Sequence, residues 1–278
     1  MEVLNNLILS LDGYIFIFLI CCTMSHIIIK SQSEIQAMRT SGQYLTEILC
    51  ILRDAAQPWV SLLELDQTAQ LFCQKHNLRA SFRGHQWFPW HVCLSLNDCL
   101  VHGIPDHTIL KQGDFLKIDM WITYQKMISD AAISLVVWWE SANELATDLS
   151  RVTKQALDRG IVTLGPWVSV YDWGRQIEHY MKQHHYSVIH SLCGHGVGRA
   201  LREAPYVYNY AEPDGKKIKF RPGMIVALEP ITAITSIDTR TKGKNTRNLY
   251  TTDGDLWCQW EYSIVITDNG CEVLAGVQ

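Results

Sequence analysis

The sequence predicts an α/β domain in which helices cover one face of a curved antiparallel sheet. Three observations predict it. Stretches with helical apolar spacing alternate with strand-like runs, the strand-like runs fall into antiparallel pairs, and the tetrapeptide Pro-Trp-Val-Ser occurs twice, each time between two helical stretches.

The first helical stretch opens at Ser31-x-x-Glu34, a capping-box pattern, and its apolar positions Ile35, Met38, Leu45, Leu49 and Leu52 recur at helical spacing. Pro58-Trp59-Val60-Ser61 then makes a turn, and Ser61-x-x-Glu64 opens a second helix. The same plan returns with Leu145, Leu149, Val152 and Leu157, followed by Pro166-Trp167-Val168-Ser169 and the box Ser169-x-x-Asp172. Matching flanks around a repeated tetrapeptide point to two similar halves. Val92–Leu96, Phe115–Tyr124, Met127–Trp138, Met224–Leu228 and Glu261–Thr267 read as strands.

With 278 residues, 47% of them hydrophobic, the chain can build one large core or two small ones. A net charge of -4 is mild and mixed, which argues against nucleic acid as a partner. The ten tryptophans are scattered and read as core and pocket lining. Nine cysteines, an odd count with no C-x-x-C spacing, indicate neither a disulfide framework nor a zinc knuckle; they read as buried free thiols in a reducing cytoplasm.

The domain is expected to run from residue 25 to residue 278, behind an apolar extension over 1–24. Tyr14–Met24 is too short to span a bilayer comfortably, and no Lys or Arg precedes Lys30, so the basic flank of a signal peptide is missing. A weak membrane anchor and an unstructured apolar tail are the alternatives to the favoured reading, an upstream extension ahead of a start at Met24.

Chemistry concentrates at a few positions. If the chain turns at Gln125-Lys126, Tyr124 pairs with Met127 and Asp119 lies opposite Ala132. Asp130 then shares a sheet face with Asp119, diagonal to it. Two carboxylates that close repel unless a proton or cation lies between them; two surface aspartates on a hairpin are the plain alternative. Glu229 ends one apolar run and Glu261 begins another, so both are expected to be at least partly buried and in need of partners. His195, in Cys-Gly-His-Gly-Val-Gly-Arg, is surrounded by glycines whose order fits neither a P-loop nor a dinucleotide fingerprint, which leaves the imidazole as the informative group. His102, in Val-His-Gly-Ile-Pro-Asp, is a second candidate before a rigid turn. Four carboxylates and one imidazole could hold two divalent cations, a set suited to amide hydrolysis.

Val101–Asp106 (VHGIPD), Lys117–Asp119 followed by Asp130, Gly194–Arg199 (GHGVGR), Leu228–Pro230 (LEP) and Trp260–Gly270 (WEYSIVITDNG) are collinear, and the chain resembles the methionine aminopeptidases of the short, bacterial type from about residue 26 onward. The resemblance implies a pita-bread fold of two pseudo-symmetric halves. It implies Asp119, Asp130, His195, Glu229 and Glu261 as ligands of two divalent metals of the Co, Mn or Fe(II) class. Glu229 would also shuttle the proton of a bridging water, and His102 would contact the substrate near its amino terminus. The implied activity is removal of the initiator methionine from nascent proteins with a small second residue, by a cytoplasmic monomer working near the ribosome, without a membrane or nucleic-acid partner.

The match has departures. Arg202 stands where the family has a second substrate-side His, Tyr262 where a His follows the last ligand, Gln125-Lys126 at an Asp-Gly turn, and Ala131 where Thr is common. In the methionine pocket Cys93 and Phe88 fit, while His85 stands at an aromatic position. Arginine is permanently charged and accepts no hydrogen bond, so reduced or altered turnover is expected. The alternatives are a catalytically impaired homologue acting as a binding protein and a related Xaa-Pro aminopeptidase.

Overall fold

The predicted capping boxes close at the first two helices. The Ser31 hydroxyl accepts from the Glu34 amide at 3.4 Å while the Glu34 carboxylate accepts from the Ser31 amide at 2.8 Å. Ser61 and Glu64 repeat this at 3.2 and 2.8 Å. These caps start α1 (Gln32–Ala55) and α2 (Leu62–Lys75). The computed structural model describes residues 27–84, 88–242 and 245–278. The apolar segment before residue 25, with the choice of start that depends on it, and His85 lie outside the described residues.

After α2 come β1 (Arg79–Ala80), β2 (Cys93–Leu96), β3 (Phe115–Tyr124) and β4 (Met127–Val136). They form one sheet in which β3 is flanked by β1, β2 and β4. Gln125 and Lys126 take φ of 45° and 68°, the left-handed pair that a two-residue hairpin turn requires. Tyr124 therefore faces Met127, and Asp119 faces Ala132, as the sequence predicts. Along β3, Leu116, Ile118, Met120 and Ile122 are buried in the cluster that Leu45, Leu49 and Leu52 of α1 complete. Each of those three leucines is fully buried and contributes roughly 1.5–3 kcal/mol of transfer free energy. The alternate residues Phe115, Lys117, Asp119 and Trp121 point to the other face.

The second half repeats the plan with α3 (Glu144–Thr163), α4 (Val170–Gln183), β5 (Ser187–Val188), β6 (Gly194–Gly196), β7 (Glu203–Val207) and β8 (Ile225–Leu228). It continues with β9 (Ile231–Ala233), β10 (Thr239–Lys242), β11 (Asn245–Thr251), β12 (Trp257–Gln259), β13 (Tyr262–Ile266) and β14 (Cys271–Ala275). A five-stranded sheet runs β14-β13-β8-β6-β7, and β12-β9-β5 and β10-β11 form two smaller ones. The backbones of Ala132 and Glu261 bridge the two larger sheets at 3.0 and 3.3 Å, so β4 and the segment entering β13 meet at the seam.

The Pro-Trp-Val-Ser repeat is structural. Trp59 and Trp167 both adopt left-handed φ, 80° and 72°, and donate to Leu110 O at 3.0 Å and Phe220 O at 2.8 Å. Three residues past each acceptor stands a glycine at φ 84° (Gly113) or 81° (Gly223), where an L side chain is disfavoured. Each glycine leads into a central strand, and six residues beyond it lie Asp119 and Glu229.

Two expectations are corrected. Leu145 is half exposed, because it sits in the first turn of α3, before the helix reaches the core that buries Leu149, Val152 and Leu157. Among the described residues four tryptophans are surface residues rather than core or pocket lining: Trp59, Trp138, Trp139 and Trp167. Trp59, Trp138 and Trp167 occupy left-handed turns outside the regular strands and helices, while Trp139 immediately follows Trp138. The seven described cysteines are free, with Cys73, Cys93, Cys99 and Cys258 buried and Cys50, Cys193 and Cys271 partly so. No described helix is long and apolar enough to cross a membrane.

Candidate metal centre

The residues implied as ligands arrive from both halves. Asp119 and Asp130 come from the β3–β4 hairpin, His195 from β6, Glu229 from the end of β8 and Glu261 from the start of β13. Asp130, His195 and Glu261 have ligand atoms within 4.8 Å of one another, and His195 Nε2 lies 3.6 Å from Asp130 Oδ2 and 3.5 Å from Glu229 Oε1. Those separations are long for hydrogen bonds and suit atoms that share a cation, since metal–ligand bonds of about 2.0–2.2 Å leave neighbouring ligands about 3–3.5 Å apart. His195 Nδ1 donates to Gly196 O at 3.0 Å, which leaves the Nε2 lone pair facing the carboxylates.

The carboxylates are poorly satisfied by protein. Asp119 Oδ1, Asp130 Oδ1 and Glu261 Oε1 are buried oxygens with no hydrogen-bond partner. Burial pushes Asp119 up to about 7 and Glu229 up to about 8, and the Arg202 charge pulls both back. Asp130 and Glu261 are pushed well above the carboxylate range by burial and then by the carboxylates around them. Burial, and then Arg202, hold the His195 imidazole down at about 3, so it is neutral and able to ligate. Buried anionic oxygens without donors, beside a neutral imidazole, fit divalent cations.

The support of these groups was not legible in advance. Gln259 Nε2 donates to Glu229 Oε2 at 3.3 Å and to Glu261 Oε2 at 3.4 Å, joining two of the carboxylates. Ser263 Oγ donates to Asp130 O at 2.7 Å and accepts from Asp130 N at 3.0 Å, clamping the halves together. Gln259, Glu261 and Ser263 are two residues apart in sequence, so a period-2 reading around Glu261 is the signal that could have found them. Asn209 Nδ2 holds Glu229 O at 2.9 Å, a contact that nothing in the local sequence announces.

The substrate-side residues divide. Cys93 and Phe88 join Phe82 and Trp121 in a buried cluster, with Phe82 stacked on Trp121 at 3.9 Å and 5.4 Å from Phe88. Register places this cluster against the centre, because Cys93 faces Asp119 and Trp121 faces Asp130. Phe82 and Trp121 are members of this cluster that the sequence analysis does not name. Arg202 is exposed, immediately before β7, close enough for its charge to act on Asp119, Asp130, Glu229 and His195. His102 is partly buried at φ 60° in the loop between β2 and β3.

Residues 36–268 match the profile of metallopeptidase family M24. The chain belongs to that family. A methionine aminopeptidase of Mycoplasma capricolum is 35% identical over 248 residues, which cover 89% of this chain and 98% of the relative. The crystal structure of a methionine aminopeptidase from Thermotoga maritima superposes with a TM-score of 0.86 at 29% identity, covering 91% of this chain and 100% of that one. A prolidase from Pyrococcus horikoshii shares the fold, with a TM-score of 0.71 at 20% identity over 91% of this chain and 64% of its own. The pita-bread architecture and the resemblance to bacterial methionine aminopeptidases are thus borne out, and as an M24 metallopeptidase the chain is a hydrolase that uses divalent metal.

Proposed function

We propose that this M24 protein removes N-terminal methionine from polypeptides, using the centre at the seam of its two halves. The observation that carries the reading is the convergence of Asp119, Asp130, His195, Glu229 and Glu261, with buried carboxylate oxygens lacking protein donors, beside a buried aromatic cluster. Asp130, His195, Glu229 and Glu261 would hold one cation, and Asp119 would complete a second position with its hairpin neighbour. Two divalent ions of the Co, Mn or Fe(II) class bound there supply the charge that activates a water and polarises the scissile carbonyl.

The protein's own groups do the rest. Glu229 would take the proton of the attacking water and deliver it to the leaving amine. Gln259 keeps that carboxylate oriented. Cys93, Phe88, Phe82 and Trp121 receive the methionine side chain, whose thioether packs well against aromatic edges. His85 is assigned to the same pocket from sequence. His102 and Arg202 contact the peptide around the scissile bond. A small second residue, N-termini of nascent chains near the ribosome, a monomeric state and a cytoplasmic location belong to the same proposal.

A metal-reconstituted assay on Met-Ala, Met-Glu and Ala-Pro peptides tests it. Cleavage of Met-Ala alone is the expected result. Cleavage of Ala-Pro alone would make the chain an Xaa-Pro aminopeptidase, and no cleavage with metal bound would make it a binding protein. Arg202→His should raise kcat on Met-Ala, since it removes a fixed charge beside the centre; an unchanged rate would show that Arg202 does not limit turnover.

A further inference from the structure

We propose that Lys117 is a positioning residue for His102: a buried amino group that ties the outgoing turn of the loop carrying His102 to the strand carrying Asp119, beside the Ser95 hydroxyl that receives its return. The proposal rests on the reading of His102 as a substrate contact. Lys117 is 1% exposed and lies in the row Phe115, Lys117, Asp119, Trp121 that faces the centre. Its ammonium donates to Asn97 O at 2.6 Å and sits 4.3 Å from the centroid of the Trp257 ring. Trp257, fully buried in β12, donates in turn from Nε1 to Cys99 O at 2.6 Å. One ammonium therefore reaches the loop twice, directly at residue 97 and through the indole at residue 99.

The loop is built to be held there. Asn97 is in the left-handed region at φ 52°, with its amide donating to Phe115 O at 2.8 Å and its Oδ1 accepting from Phe115 N at 2.9 Å. His102, at φ 60°, is a second left-handed residue, and the next amide, Gly103 N, donates to Ser95 Oγ at 3.1 Å. Ser95 is the cross-strand partner of Lys117. The loop thus leaves and returns at the same Ser95–Lys117 pair. A Cβ at Gly103 would lie 2.2 Å from Leu94 O, so the return leaves no slack. An apolar side chain of the same length would fill the space at lower desolvation cost, and it could not make either attachment.

The test is Lys117→Met in the full chain, alone and with His102→Ala, loaded with Co²⁺ or Mn²⁺ for the peptide assay and with diamagnetic Zn²⁺ for the NMR comparison. The single variant is expected to bind the same amount of metal and to lose about 10- to 100-fold in kcat/KM on a Met-Ala peptide, the scale of a misplaced contact. In the His102→Ala background the same change should cost less than about twofold, because its route to the substrate is gone. Histidine side-chain NMR should show the His102 ring resonances displaced and those of His195 in place. Equal losses in both backgrounds, or an unmoved His102 resonance, would overturn the proposal. Should Lys117→Met not fold, Trp257→Phe keeps a ring beneath the ammonium, removes the donor to Cys99 O, and enters the same cycle. If the wild-type chain cleaves no peptide, it is the aminopeptidase reading that fails, and the NMR comparison still decides Lys117.

Discussion

Counted from Gly113 and Gly223, the inward rows of the two central strands read Phe115, Lys117, Asp119 in the N-terminal half and Ile225, Ala227, Glu229 in the C-terminal half. The outer positions match in kind, since a large apolar residue is followed, four places on, by a carboxylate of the centre. The middle positions do not. Ala227 faces His195 across the sheet, whereas Lys117 faces Ser95. A small residue leaves room for an imidazole that reaches the carboxylates, and on the other side a long cation fills the space and holds a loop. The same scaffold thus supplies an imidazole ligand from one half and a rigid substrate-side loop from the other. The asymmetry of the chemistry lives in side chains, and the symmetry lives in turns and caps.

The cross-strand partners of Ala227 and Lys117 should respond differently to truncation. His195→Ala should lose metal and more than about 100-fold in activity, since even outer-shell partners of a ligand typically cost 10- to 100-fold. Ser95→Ala should keep its metal content and lose less than about tenfold. Metal analysis with a peptide assay checks both, and equal losses would show that the two strands are not divided between ligation and support.

A smaller effect should appear in stability. Asp119 and Glu229 titrate at about 7 and about 8 when folded, above their unfolded range, so the folded chain holds protons that the unfolded chain releases. Their contribution is present below about pH 4 and is lost as the pH rises through those values. His195, held at about 3, works the other way: its contribution is complete above the unfolded value of about 6.5 and is lost as the pH falls toward 3. Between about pH 6.5 and 8 the two carboxylates ionise, while Lys117, held down at about 7 by burial, loses its proton in the same interval and works against them, one group against two. The Tm of chelator-treated protein should therefore fall across that interval, and saturating divalent metal should remove the slope. A flat Tm in chelator would mean that the carboxylates are already compensated by protein.

The smallest expected difference lies at the caps. Ser61 and Glu64 exchange two bonds with each other's backbone, whereas Asp172, one carbon shorter than Glu64, bonds the Ser169 hydroxyl at 2.5 Å instead of closing a box on the amide. Ser61→Ala should cost about 1–2 kcal/mol and Ser169→Ala about 0.5–1 kcal/mol, read from urea midpoints. A larger loss at Ser169 would reverse the ranking.

What the sequence determined alone is what local rules govern. Caps are set by residues three apart, a two-residue turn forces the register of its hairpin, and period-2 alternation assigns faces, so α1, α2, β3 and β4 were legible along with the shared face of Asp119 and Asp130. Glu229, Glu261 and His195 were legible as unusual residues in apolar or glycine-rich settings, and their assembly into one centre was implied by family resemblance. The tertiary structure decided the contacts that join Asp130 to Ser263 and Ser134 to Gln259, across 133 and 125 residues. It also decided that four tryptophans face solvent and that a lysine is buried beneath the substrate-side loop. Such contacts depend on how two sheets meet, and no local pattern encodes a seam: each strand shows which face is inward, and only the packed fold shows what stands across from it.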